Sequence, residues 1–449
     1  MVKREAQLTE RVQEAKLMLN SSWTGRHTRH AQDQYPHQWS WDAGFLAIGL
    51  ACFKPDRARK ELRSLFESQW ANGMVPHIVF HAGEGLNYYP GPERWQADGV
   101  SGLNSEVRTS GCIQPPIHAF AAFTIYEHAS DKDWARDFLE WIYPRLMQWH
   151  RYLYRERDPE DEGLIYIRHP WEAGMDNSPI WDSSMDRILV SEIEISPYRR
   201  QDIEDKQLMS QRPKNLEYDR FTYLVDVYKR ARYNEREIRR QSPFVIQDPL
   251  FNGILNRSNR SLEAMACILG QDETEPRRWY EQTCEGVQRK LWNEEDRWYY
   301  AYDMNEQEMI TTKAINGLGP LFGGIPTSEQ AGFLCEHLEN GTFGFTDDIP
   351  YGLTSYTVED DRFDPQNYWR GPIWGYTNWL AIKGLSEYRL YEMAYKTIGD
   401  QFIDLIVDTG FYEYWNPRNG EPLGVSPFQT NAALFLDRMY YRHGTLFFA

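Results

Sequence analysis

The stretch Asp131-Lys-Asp-Trp-Ala-Arg-Asp-Phe-Leu-Glu-Trp-Ile-Tyr-Pro-Arg-Leu-Met-Gln-Trp-His-Arg-Tyr-Leu-Tyr-Arg-Glu-Arg157 decides the architecture. Within it Trp134, Phe138, Trp141, Ile142, Leu146, Trp149, Tyr152 and Leu153 recur mostly three and four residues apart, the spacing of one buried helix face. Pro144 predicts a kink or a split, because proline removes an amide donor and crowds the preceding turn. Outward from this segment the same period returns at 5–20, 43–53, 56–70, 115–128, 218–240, 251–269, 275–293, 329–338, 370–387, 388–407 and 431–443. Strand signals are confined to 298–302 and 164–167.

About a dozen evenly spaced helices without an internal repeat argue against an α-solenoid, which would show self-similarity. They fit an all-α fold, a closed (α/α)6 toroid with six inner helices ringed by six outer ones. A closed barrel accommodates all 449 residues in one domain, 1–449, where an ordinary core of this length would divide. No Pro/Gly/Ser-rich linker interrupts it. Loop insertions are expected around 72–113, 158–213 and 341–368, and irregular stretches of that length inside a compact domain are usually functional.

Composition narrows the function. A net charge of −17 without a basic block excludes a phosphate-binding surface, so no nucleic-acid partner is expected. The longest apolar run, 45–53, is too short to span a bilayer. No apolar leader follows Met1, which makes cytoplasmic localisation the expectation. Cys52, Cys112, Cys267, Cys284 and Cys335 are scattered and read as reduced core thiols. Aromatic residues make up 15%, with 17 Trp and 28 Tyr, an excess that fits either an aromatic core or an aromatic-walled pocket.

Four segments are able to carry chemistry. In Trp171-Glu-Ala-Gly-Met-Asp-Asn-Ser-Pro179, Asp176 is either a turn residue or a reactive carboxyl. In Gly410-Phe-Tyr-Glu-Tyr-Trp-Asn-Pro417, Glu413 sits among aromatic rings, whose apolar surroundings suit an acid or base poised near neutrality; the alternative is an outward strand-edge residue. In Gln38-Trp-Ser-Trp-Asp-Ala-Gly-Phe45, Asp42 is a helix N-cap or an acceptor for sugar hydroxyls, with Trp39 or Trp41 beneath the ring. In Tyr368-Trp-Arg-Gly-Pro-Ile-Trp374, Arg370 requires an anionic partner. Two carboxylates on separate irregular segments are what glycoside hydrolysis needs. His27, His30 and His37 fit no usual zinc spacing, so neither a metal nor a cofactor is expected.

The four segments, in this order, resemble glycoside hydrolase family 63. The resemblance implies an (α/α)6 barrel and inversion of the anomeric carbon, with Asp176 as general acid and Glu413 as base. Compact length and the Gly111-Cys-Ile-Gln-Pro-Pro116 segment are most similar to the glucosylglycerate and mannosylglycerate hydrolases of that family. By that likeness Tyr35, Trp41, Asp42 and Gln114 face the sugar, Trp171 and Gln429 lie nearby, and Tyr88 and Tyr89 belong to a substrate-closing loop. Trp39, Tyr368, Trp369, Arg370 and Trp374 complete the candidate pocket, and Arg220 is the candidate cation for a glycerate carboxylate. Glu172 and Asp182 are the spare carboxylates near Asp176, and 191–213 matches nothing in the family. The function expected is release of glucose or mannose from a small α-glycoside. The alternatives are a trehalase-like hydrolase of a neutral disaccharide and a non-catalytic sugar-binding toroid. The partners implied are a small glycoside and a second copy of the chain as a homo-oligomer.

Overall fold

The computed structural model describes residues 2–31, 34–83, 88–192, 195–204 and 208–443. Helices dominate it. Six of them follow one another in a circuit: Ser40–Ala51, His118–His128, Pro249–Leu269, Gly319–Gly323, Gly375–Glu387 and Gln429–His443. Each packs against the next, and the last returns to the first. Further helices pack on these, Val2–Ser21 on Gln429–His443, Pro55–Phe66 on Ser40–Ala51, Lys132–Glu156 on His118–His128 and Pro249–Leu269, and Thr274–Lys290 on Pro249–Leu269.

Local signals place several of these ends. Asp248 caps Pro249–Leu269, its Oδ2 accepting from Phe251 N at 2.8 Å, with proline at the first helical position. Asp131 likewise caps Lys132–Glu156 through Trp134 N at 3.0 Å. The expected split at Pro144 does not occur. The helix runs through it, and the Glu140 carbonyl, which loses its amide partner to the proline, belongs to an exposed residue as Pro144 does.

Other boundaries differ from expectation. The segment 218–240 is two helices, Asn215–Arg230 and Glu235–Gln241. Arg232 and Tyr233 turn in the left-handed region between them, and the Asn234 side chain restarts the helix by accepting from Glu237 N at 3.0 Å. The run 388–407 is a π-helix, Glu392–Gly399, continued by Asp400–Thr409. Helix Gly375–Glu387 starts five residues later than the pattern suggested, because 370–374 first turns and then forms strand Ile373–Trp374. Cys267 is exposed and Cys284 half-buried, so these two are not core thiols; 267 falls on the solvent side of its helix.

Short antiparallel ribbons deliver the chain to the circuit. Gln38–Trp39 pairs with Ile78–Phe80 immediately before Ser40–Ala51. Ile373–Trp374 pairs with Tyr414–Trp415 immediately before Gly375–Glu387. Side chains at these helix starts line one cavity. No described helix is long and apolar enough to cross a membrane.

Candidate active site

Glu413 stands just before strand Tyr414–Trp415, which is held on both sides, by Ile373–Trp374 and Pro422–Leu423. Its side chain is 1% exposed. Oε1 accepts from Tyr35 Oη at 2.9 Å and Arg212 Nη1 at 3.2 Å. Oε2 accepts from Arg212 Nη2 at 2.5 Å and Val425 N at 3.1 Å. The aromatic neighbours anticipated from the sequence are present, but the setting is not apolar isolation: these donors solvate a carboxylate anion. Gly424, at φ +71°, makes room for it, since a Cβ there would fall 2.5 Å from Oε2. Arg212 also donates to Tyr35 Oη at 2.6 Å and lies over the Tyr368 ring.

Asp176 lines the same cavity. The short helix Pro170–Ala173 ends at Gly174, whose φ of +72° turns the chain towards Asp176 and then into Pro179–Trp181. A Cβ on Gly174 would meet the Trp41 ring at 2.4 Å, so the turn is seated directly on that indole. Enclosure by protein at the cavity wall pushes the Asp176 carboxyl up to about 7; nearby Arg212 restrains the rise and the charge of Glu413 adds to it.

The spare carboxylates are committed elsewhere. Glu172 is fully buried between Arg157 and Arg168 and accepts from the amides of Ile113 and Arg168 at 3.2 and 2.8 Å. Asp182 takes both guanidinium donors of Arg370 at 2.9 and 2.8 Å.

Asp42 lies inside the first turn of Ser40–Ala51, with Trp39 as the N-cap, so it is not the capping residue. It accepts from Tyr376 Oη and from Thr430 Oγ1 at 3.3 Å, with His30 Nε2 3.2 Å away. Burial pushes it up to about 7. Trp41 stacks on Tyr376 at 4.7 Å, and its amide donates to Gln114 Oε1 at 3.1 Å. Trp369 stacks on Trp374 at 4.0 Å, and Trp171 on His169 at 4.2 Å. Tyr88 meets Trp39 edge-on, and Tyr89 stacks on Tyr198 at 4.7 Å while its amide donates to Gln201 Oε1. The loop that carries Tyr88 and Tyr89 therefore touches the 191–213 segment; 84–87, 193–194 and 205–207 lie outside the described residues.

Asp176, Glu413, Tyr35, Trp39, Trp41, Asp42, Tyr88, Tyr89, Gln114, Trp171, Tyr368, Trp369 and Trp374 line one cavity of about 1010 Å³. Three candidates stand outside its lining. Arg220 turns away and pairs with Asp186 at 2.6 Å. Arg370 is spent on Asp182. Gln429 starts helix Gln429–His443, its amide bonded to His30 O. The lining instead includes Arg212, Tyr376 and His30, none of which was singled out for the pocket from sequence. His27 stacks on His81 with His37 close enough to act on both, whereas His30 faces Asp42. Among the described residues no group of three or more His, Cys, Asp or Glu is arranged to hold a metal ion.

The family model of the mannosylglycerate hydrolase MGH1-like glycoside hydrolase domain matches residues 35–432. The mannosylglycerate hydrolase of Rubrobacter radiotolerans is 38% identical over 95% of this chain and 96% of its own length. The glucosylglycerate hydrolase of Mycolicibacterium hassiacum is 34% identical over 96% and 97%. Among solved structures, the family 63 mannosylglycerate hydrolase of Thermus thermophilus in complex with Tris and D-glycerate superposes with a TM-score of 0.87 at 36% identity, covering 96% of this chain and 99% of that one. Matched along nearly its full length in sequence and in structure, the chain belongs to the mannosylglycerate hydrolase MGH1-like glycoside hydrolases.

Proposed function

We propose that this enzyme hydrolyses an α-glucosyl- or α-mannosyl-glycerate with inversion. Asp176, protonated, gives its proton to the glycosidic oxygen as the bond from that oxygen to C1 breaks. Glu413 takes a proton from a water that attacks C1 from the opposite face, so sugar and free glycerate leave together. The observation that carries this reading is the unlike treatment of two carboxyls in one cavity: Asp176 is pushed up to about 7, whereas Glu413 is gripped by a guanidinium. The lining holds Arg94, Arg199 and Arg212, each also paired with a carboxylate, for one of which an anionic aglycone would compete. Arg212 takes the place of Arg220 as the candidate cation, being the one buried beside both carboxyls. The substrates named for the relatives support the same choice.

The closed circuit of helix contacts supports an (α/α)6 toroid, in one domain over 1–449, with the pocket at the end where the inner helices start. We read the enzyme as cytoplasmic. Incubation with both glycerate glycosides, followed by NMR of the sugar released, tests the proposal. The β-anomer should appear first. Initial α-anomer would mean retention, turnover of trehalose alone would mean a neutral disaccharide, and binding without turnover would mean a sugar-binding protein.

A further inference from the structure

We propose that Asn177 is a positioning residue for the general acid, bracing the Asp176 loop on the turn 367–370. The inference rests on the assignment of Asp176 as acid and Glu413 as base. The Asn177 side chain is 3% exposed and has two partners in one short segment. Its Oδ1 accepts from Trp369 N at 3.0 Å, and its Nδ2 donates to Asn367 Oδ1 at 2.8 Å. The Asn177 carbonyl accepts from Arg370 Nη1 at 3.2 Å, and Arg370 is itself fixed by Asp182. Three bonds thus tie the residue after the acid to 367–370.

Between those anchors Tyr368 adopts φ +40°, a left-handed conformation that costs a bulky residue energy and persists only where neighbours over-determine it. The anchors are on either side of it, Asn367 before and Trp369 after. Held there, the Tyr368 hydroxyl meets Tyr35 Oη at 3.3 Å, and Tyr35 donates to Glu413 Oε1. The carboxamide thus reaches the acid through a single peptide bond, whereas the base keeps Arg212 and the Val425 amide, which Asn177 does not touch. Proton transfer is steep in distance, and an error near 1 Å in a reacting group costs up to about 10²-fold. A misplaced acid slows only those substrates whose leaving group must be protonated.

That last property supplies the test. In the full-length enzyme, Asn177→Ala should lower kcat on the glycerate glycoside by roughly 10–100-fold with KM changed less than about 3-fold. With the α-glycosyl fluoride of the same sugar, whose fluoride departs without a proton, kcat should fall by less than about 3-fold. Asn367→Ala, which removes one of the three bonds, should give a weaker form of the same contrast and serves if Asn177→Ala does not fold. Equal losses on both substrates, or no loss on either, would overturn the brace. Asp176→Ala is the control: equal loss there on both substrates would overturn the acid assignment, and a selective loss there beside unselective loss in the Asn177 variant would overturn the brace alone.

Discussion

Arg212 grips both oxygens of Glu413, at 2.5 and 3.2 Å, from 201 positions away in the chain. Both side chains are at most 2% exposed. A buried pair of this kind is weak evidence for stability as a whole, but removing one member leaves an uncompensated charge and costs about 3–5 kcal/mol.

Arg212→Met should therefore lose stability in urea by that order and lose most activity. Arg212→Lys should recover stability better than activity, because an ammonium restores the charge without the two-pronged geometry. Equal activity in the lysine variant and the parent would show that the fork has no catalytic importance.

Glu413→Gln keeps the shape of the base and removes its proton acceptor. We expect kcat to fall by about 10²–10⁴-fold while the dissociation constant for unreacted substrate stays within about 10-fold. Calorimetric binding beside rate measurements checks this; weakened binding with kcat preserved would assign Glu413 to substrate affinity instead.

Acid catalysis by Asp176 sets a pH limb. The group must carry its proton, and its carboxyl lies at about 7, so kcat/KM should decline as pH rises through about 7. The same shift affects folding. A carboxyl raised above its unfolded value contributes stability at low pH that is lost as pH climbs from about 4 through about 7. Asp176→Asn removes this titration, so its melting temperature relative to the parent should improve between pH 5 and pH 8. A constant gap would mean that Asp176 is not raised in the folded enzyme. Asp42, also pushed up to about 7, titrates in both proteins and cancels in the comparison.

Gly174→Ala should affect the sugar site more than the fold. The added methyl meets Trp41 at 2.4 Å and sits in a left-handed turn, so the indole or the acid loop must shift. We expect at least about a 10-fold rise in KM or fall in kcat, with only about 1–2 kcal/mol lost in unfolding. Unchanged kinetics would show that the Gly174–Trp41 contact is not needed for substrate positioning.

Much of this site is legible in local sequence because its residues sit where helices begin. Trp39, Trp41 and Asp42 stand at the start of helix Ser40–Ala51, and Trp369 and Trp374 just before Gly375–Glu387, so aromatic clusters beside helical periodicity mark the pocket. Glu413 is conspicuous among its aromatic neighbours. Asp176 is not: the protein around its loop raises its carboxyl, and nothing in 171–179 encodes that enclosure. Arg212 is illegible for the same reason, its partner being distant in sequence, and the sequence points instead to Arg220 on the following helix. The one local hint is Arg212-Pro213, a charged residue fixed at the end of a polar stretch directly before Asn215–Arg230. The break at Arg232–Tyr233 and the π-helical Glu392–Gly399 lie beyond a period-counting rule, since both depend on backbone geometry within an otherwise helical pattern.

The segment 191–213 looks from sequence like an appendage, polar and unmatched in the family. Near its end Arg212 holds the Glu413 carboxylate, and through Tyr198 and Gln201 the segment meets the loop carrying Tyr88 and Tyr89. Such a segment is not free to drift as ornamental surface does. On the proposed mechanism, a change there that admits a different aglycone also displaces the carboxylate that Arg212 holds, which couples choice of substrate to speed of turnover.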